Sequence, residues 1–130
     1  MNTKSKGTQF ERELIKLFCT GGWFAIRAAG SGSSRYPSPD ILAGNCSRKL
    51  AIECKKIKGK NLYLPREEIE QLREFSNGFG AEAWLAVHFG KKDPVFLMLE
   101  DLKETTKGYG VSVDLARTKG LLFEEVVGGL

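Results

Sequence analysis

The chain has 130 residues, a net charge of +4, 42% hydrophobic residues and 28% charged residues, the composition of one soluble globular domain over residues 1–130. No apolar run reaches the roughly 18 residues of a membrane span, and the polar, basic N-terminus is not that of a signal peptide. Three cysteines without a CxxC pair and a single histidine argue against a disulfide framework and a structural zinc site, and favour a reducing cytoplasm.

The first half of the chain is predicted to be one helix followed by three strands. Phe10, Leu14, Leu17 and Phe18 form one apolar stripe in helical spacing. A glycine- and serine-rich loop follows the first strand, and a turn around Gly44 joins the next two. In chain order we predict a helix over 8–19, strands over 23–28, 40–43 and 49–55, and a basic connection over 57–64.

The second half is predicted to hold a helix and two buried strands. The helix starts near Pro65, which suits a first turn, with Glu67 and Glu68 complementing the helix dipole. It ends at Gly78 or Gly80, and its apolar side is Ile69, Leu72, Phe75 and Phe79. Strands are predicted at 83–89 and 95–100, and the tail holds a helical turn near 101–105 and a strand at 111–115. The order predicts an α/β fold, a mixed sheet flanked by helices.

Charged residues lie at one end of the predicted hairpin. If the turn is centred between 46 and 47, Asp40 faces Glu53, and facing residues point to the same side of a sheet. Lys55 shares that side because it follows Glu53 by two positions. Two facing carboxylates repel unless a divalent cation lies between them. The sequence therefore predicts a site for Mg²⁺ or Mn²⁺ beside a lysine, and the alternative is a solvent-exposed cross-strand ion pair.

The basic residues are unevenly distributed. Residues 1–60 carry a charge balance of +8, whereas residues 61–130 carry −4. A basic half is typical of proteins that bind a polyanion such as nucleic acid, although a lopsided soluble surface would give the same numbers. A metal site with a lysine, set in this half, favours hydrolysis of a phosphodiester.

The motifs together resemble a known family. Pro39-Asp40, a spacer and Glu53-Cys54-Lys55 form the PD…ExK pattern of the restriction-endonuclease-like nuclease superfamily. GTQFERELIKLF (7–18), WFAIRAAGSG (23–32), PDILAG (39–44), AIECKK (51–56) and LREFSNGFG (72–80) look like the archaeal Holliday-junction resolvases. The resemblance covers roughly residues 4–100 and implies a restriction-endonuclease-like fold.

The resemblance also implies roles for individual residues. The catalytic residues would be Glu11, Ser31, Asp40, Glu53 and Lys55, with Glu11, Asp40 and Glu53 holding the metal. The serine could instead be Ser33 or Ser34, since several serines share the loop. Aromatic side chains of the second helix, Phe75 and Phe79, would serve dimerisation and activity. The basic residues expected to contact DNA are Lys4, Lys6, Arg12, Arg27, Arg35, Lys56 and Lys58.

Several of these residues have simpler interpretations. Thr8 and Glu11 fit a helix capping box, with Thr8 as the N-cap. Phe75 and Phe79 are spaced like core residues, and Arg12 could pair with neighbouring acids.

The resemblance implies a Mg²⁺-dependent endonuclease that resolves four-way DNA junctions in recombination and repair. A junction is approximately two-fold symmetric and needs two matched nicks, so a homodimer suits the task. Two alternatives are a related nuclease acting on other DNA and a DNA-binding module without catalysis.

Overall fold

A computed structural model describes residues 3–28 and 36–128, with side chains from Gln9 onward. In chain order its elements are α1 (Thr3–Thr20), β1 (Phe24–Arg27), β2 (Ile41–Gly44), β3 (Lys49–Ile57), β4 (Asn61–Pro65), α2 (Arg66–Phe79), β5 (Glu82–Phe89), β6 (Val95–Met98), β7 (Lys103–Glu104), β8 (Gly108–Ser112), α3 (Val113–Lys119) and α4 (Phe123–Val127). A 3₁₀ turn, Leu99–Asp101, follows β6. None of the helices in these described ranges is long and apolar enough to cross a membrane.

Five strands form the main sheet in the order β1-β2-β3-β5-β6, so β3 is the central strand. β3 pairs antiparallel with β2 and parallel with β5, and the two outer pairs are antiparallel. Helices pack against both faces of this sheet. The predicted mixed sheet flanked by helices is therefore confirmed.

The two faces of β3 are buried under different helices. Leu50 and Ile52 are fully buried in a cluster with Phe10 and Leu14 of α1. Ala51 lies on the opposite face, in the cluster that contains residues of α2. Because side chains alternate along a strand, Glu53 and Lys55 continue the α2 face. The fold thus brings α2 close to the charged end of β3.

The long helices differ in part from the prediction. Helix α1 begins at Thr3, not near residue 8, because its polar first turns give no apolar period to detect. The helical spacing predicts Leu17 on the buried stripe, yet its side chain is 40% exposed. Helix α2 ends as predicted at Gly80, whose positive φ of 82° suits glycine and whose N–H donates to the Ser76 carbonyl.

The predicted connection over residues 57–64 is wrong, because it contains β4. This strand pairs with β8, and β8 pairs with β7, in a second antiparallel sheet. Gly108 meets β4 so closely that a Cβ atom would collide with the Leu64 carbonyl oxygen. β4 pairs with a distant segment, and the side chain that it buries most fully is Leu64. Its own residues therefore give little indication of a strand.

The predicted strand at 111–115 is shifted, since β8 ends at Ser112 and a helix follows. The Ser112 hydroxyl accepts a hydrogen bond from the Leu115 N–H at 3.0 Å. This N-cap starts α3 directly after the strand. The helical turn expected near 101–105 lies slightly earlier, at Leu99–Asp101.

Candidate active site

The β2–β3 hairpin has the register that the sequence predicted. Ile41 pairs with Ile52, so Asp40, one position beyond, lies opposite Glu53. The Asp40 N–H donates to the Ile52 carbonyl at 3.0 Å, which extends the pairing to the residue before β2. The Asp40 carboxylate accepts a hydrogen bond from the Cys54 N–H at 2.8 Å. Two backbone contacts with β3 therefore fix Asp40, and the Cys54 N–H holds its carboxylate.

Glu53 is a carboxyl group in a place that disfavours its charge. Its side chain is only 16% exposed. The pKa of Glu53 is raised to about 8, first by burial and second by the negative charge of Asp40. Lys55 acts to lower this pKa, whereas Glu68 acts to raise it. The arrangement therefore needs either a proton or a bound cation to be stable.

Lys55 lies beside two carboxylates of different elements. Its Nζ atom is 2.6 Å from Oε1 of Glu68 and 3.7 Å from Oε2 of Glu53. Burial acts to lower the pKa of Lys55, but the hydrogen bond and charge of Glu68, followed by Glu53, raise it overall. The ammonium group is therefore positively charged at neutral pH. Sequence reasoning missed Glu68, which was interpreted only as an acid that complements the helix dipole.

Glu11 reaches the same region from α1. Burial raises its pKa first and the charge of Asp40 second, whereas Arg27 opposes both. The Arg27 Nε–H donates to Oε1 of Glu11 at 2.8 Å. The capping-box interpretation is wrong, because Thr8 lies inside α1, not at its start. Glu11 therefore borders the site, held by a basic residue that was expected to contact DNA.

The acidic groups suit a cation held mainly by two carboxylates. Among the residues that the structure describes, no three His, Cys, Asp or Glu side chains are placed to share one metal ion. Asp40 and Glu53 nevertheless face each other, and the charge of Asp40 helps to raise the pKa of Glu53. Mg²⁺ is commonly held by one or two carboxylates, with water and substrate phosphate completing its shell. The pair fits such an ion, and the three-carboxylate set that includes Glu11 stays a prediction.

The Cys54 thiol does not favour nucleophilic catalysis by cysteine at this site. It packs against the α1 cluster, on the opposite face of β3 from Glu53. Burial raises the pKa of Cys54 well above its ordinary value, with nearby carboxylates adding to the effect. A thiol that stays protonated is a poor nucleophile.

The predicted DNA-contacting residues are only partly described. Arg12 and Lys58 are exposed, and Lys56 is half-buried on β3. The predictions for Ser31, Ser33, Ser34 and Arg35 concern residues outside the described ranges. Lys4 and Lys6 belong to α1, but their side chains are likewise outside what the structure describes.

An apolar patch lies at the other end of α2. Phe75 and Phe79 stack with ring centroids 5.1 Å apart. Phe79, Phe24, Ile26 and Leu42 line a cavity of about 620 Å³ beside the edge strand β1. Exposure of these side chains reaches 82% for Phe24, 65% for Ile26 and 48% for Phe79. We call these five residues the apolar patch, in which Phe75 and Leu42 also pack against the core and Phe24, Ile26 and Phe79 are exposed.

Known proteins resemble this chain over nearly its whole length. A sequence profile described as archaeal Holliday junction resolvase (Hjc) matches residues 2–130. The crossover junction endodeoxyribonuclease Hjc of Archaeoglobus fulgidus is 43% identical over 132 residues, covering 96% of this chain and 97% of the relative. The protein of the same name from Methanocaldococcus jannaschii is 34% identical over 125 residues, covering 95% and 87%.

The fold has a close structural counterpart. The solved structure of Archaeoglobus fulgidus Hjc, described as a Holliday junction resolvase from an archaeal hyperthermophile, matches with a TM-score of 0.87 and 42% identity. The match covers 92% of this chain and 97% of the solved one.

Proposed function

Because the chain belongs to the archaeal Holliday junction resolvase family, we propose that it is a crossover junction endonuclease that cuts four-way DNA with Mg²⁺ as its cofactor. Mn²⁺ is expected to substitute, since both ions accept oxygen ligands. The observation that carries the proposal is the convergence of Asp40, Glu53 and Lys55 at one end of the β2–β3 hairpin.

The site residues divide the work between binding and charge compensation. Asp40 and Glu53 would hold the cation, with Glu11 beside them, and the cation would supply Lewis-acid activation of water and of the scissile phosphate. Glu53 must release its proton when the cation binds, because its pKa lies near 8. Lys55 keeps its proton, so it offsets the negative charge that develops on the phosphate and does not serve as a base.

The first experiment compares a synthetic four-way junction with a linear duplex of the same sequence. We expect paired, symmetric nicks in the junction with Mg²⁺, and none with EDTA or with the Glu53→Ala variant. Equal cutting of the duplex would retain the nuclease and reject junction selectivity. Tight binding without cutting under any divalent metal would leave a DNA-binding protein without catalysis.

We further propose that the protein is a homodimer formed through the apolar patch. One chain offers one Asp40–Glu53 site, whereas a two-fold symmetric junction needs two. The exposed side chains of β1, together with Phe79, supply an uncovered apolar surface at the edge of the main sheet. A second copy related by a two-fold axis would cover both patches at once.

Ile26→Asp is expected to convert the dimer to a monomer and to replace paired nicks by single ones. A carboxylate buried in each half of an apolar interface would lose its hydration without gaining a partner. Light scattering at micromolar concentration measures the mass. Tyr63→Asp is the matched control, because Tyr63 is 75% exposed on β4, outside the apolar patch. A monomeric wild-type protein, or a dimeric Ile26→Asp variant, would contradict the proposal.

A cytoplasmic location is also proposed. Its support is that the described cysteines, Cys19, Cys46 and Cys54, are all free.

A further inference from the structure

Glu68 is the acidic residue that contacts Lys55 most closely. The Lys55 ammonium donates a hydrogen bond to Glu68 Oε1 at 2.6 Å, whereas Glu53, on the same strand as Lys55, lies 3.7 Å away. Both partners are partly screened from water, with 27% of the Lys55 side chain and 32% of the Glu68 side chain exposed. The PD…ExK pattern therefore does not include Glu68, although Glu68 is the closest acidic partner of its lysine, Lys55.

The fold directs Glu68 towards Lys55. Pro65 precedes α2 and offers no side-chain cap, and the first turn of the helix carries two acids, Glu67 and Glu68. Either acid complements the helix dipole, which explains why the position is acidic. Only Glu68 faces β3, and Glu67 is exposed and makes no ion pair among the described residues. The helix dipole therefore does not account for the contact with Lys55.

A lysine side chain needs a partner to fix its position more than a short side chain does. Its ammonium lies at the end of a flexible four-carbon stem and can occupy many positions. A catalytic charge that is misplaced by about 1 Å can lose on the order of 10²-fold in rate. The contact with Glu68 limits these positions before any substrate is bound.

We propose that Glu68 is a positioning residue that holds the Lys55 ammonium beside the Asp40–Glu53 pair. It acts through Lys55, and its carboxyl group also contacts Glu53, whose pKa it raises. This role rests on the proposed nuclease function, because positioning matters only if Lys55 meets a reacting phosphate. With this role, α2 contributes a residue to the site, as do α1 and the β2–β3 hairpin.

The test compares Glu68→Gln with Glu67→Gln, which removes one negative charge from the same helical turn. For Glu68→Gln we expect the single-turnover rate constant of junction cleavage to fall by roughly 10–100-fold. The Kd for the junction, measured in EDTA, should change less than about 3-fold, since the contact orients a group and adds no DNA contact. Glu67→Gln should leave both values within about 2-fold.

A second readout does not depend on cleavage. Nitrogen-15 relaxation of the Lys55 ammonium in the metal-free protein should show a restricted group in the wild type and in Glu67→Gln, and a mobile group in Glu68→Gln. Glu68→Asp keeps the charge on a shorter side chain and should give an intermediate rate and intermediate mobility. Equal rate losses in the two glutamine variants would assign the effect to the helix dipole and overturn the proposal.

A fully active Glu68→Gln variant, or a Lys55 ammonium equally restricted without Glu68, would also overturn it. If the wild type cuts no junction at all, the proposed function fails. The relaxation measurement still decides whether Glu68 holds Lys55, so the two failures are distinguishable.

Discussion

Asp40→Asn is expected to lower the single-turnover rate of junction cleavage at least about 10³-fold. Asparagine keeps the size of the side chain and an oxygen that can accept the Cys54 N–H, so the hairpin should stay intact. It removes one of the two facing negative charges that would hold the cation. Binding of the junction should persist or tighten, because a negative charge near the DNA phosphates is lost.

The measurement separates binding from cutting. Junction affinity is determined with Ca²⁺ or EDTA, and the rate constant is determined with saturating protein and Mg²⁺. Asp93→Asn is the control, since Asp93 is an exposed acid outside the site. If Asp40→Asn retained a tenth or more of the wild-type rate, Asp40 would not be a ligand of the essential cation.

Glu53→Gln is expected to make the metal-free protein more stable at pH 9 while it abolishes cleavage. The pKa of Glu53 is raised from 4.5 to about 8 by burial, then by Asp40. The folded state thus binds this proton more tightly than the unfolded state does. The free energy of unfolding should therefore fall as the pH rises from about 4.5 to about 8, and this dependence should disappear in the variant.

The size of the effect follows from the value of a pKa shift. One unit corresponds to about 1.4 kcal/mol, and relaxation around the ionised group should reduce the full effect to roughly 2 kcal/mol at pH 9. Urea denaturation in EDTA at pH 5 and pH 9 measures it, with Glu74→Gln, an exposed acid on α2, as the control. Mg²⁺ should restore the stability of the wild type at pH 9 and leave the variant unchanged. If the free energy of unfolding changed with pH in the same way for the wild type and for Glu53→Gln, Glu53 would not be the carboxyl group whose pKa is raised by folding.

The parts of the site that were predictable from the sequence are local. The hairpin register depends on one turn, and the ends of β2 and β3 follow from it, so Asp40 could be set opposite Glu53 without a structure. The end of α2 was also predictable from the local sequence, because Gly80 adopts a conformation that other residues avoid.

The parts that were missed depend on pairing between distant segments. β4 fully buries only Leu64, and it pairs with β8, a segment far along the chain. The contact between Glu68 and Lys55 joins a helix to a strand, and no spacing rule relates the two positions. Glu11 could be placed near the site only through the family resemblance. Its hydrogen bond to Arg27 joins a helix to a strand, and no spacing rule in the sequence indicates it.

The parallel pairing of β3 with β5 affects the order in which the site can form. The β2–β3 hairpin is a local structure, but β3 is a central strand, and its second neighbour follows only after β4 and α2. Closing such a long connection costs entropy before the contacts are gained, so nonlocal pairing tends to be slow. We therefore expect the facing carboxylates to remain hydrated during early folding and to lose water only when β5 docks. The unfavourable ionisation of Glu53 would then arise when β5 docks, in the same step that buries the β5 residues of both core clusters.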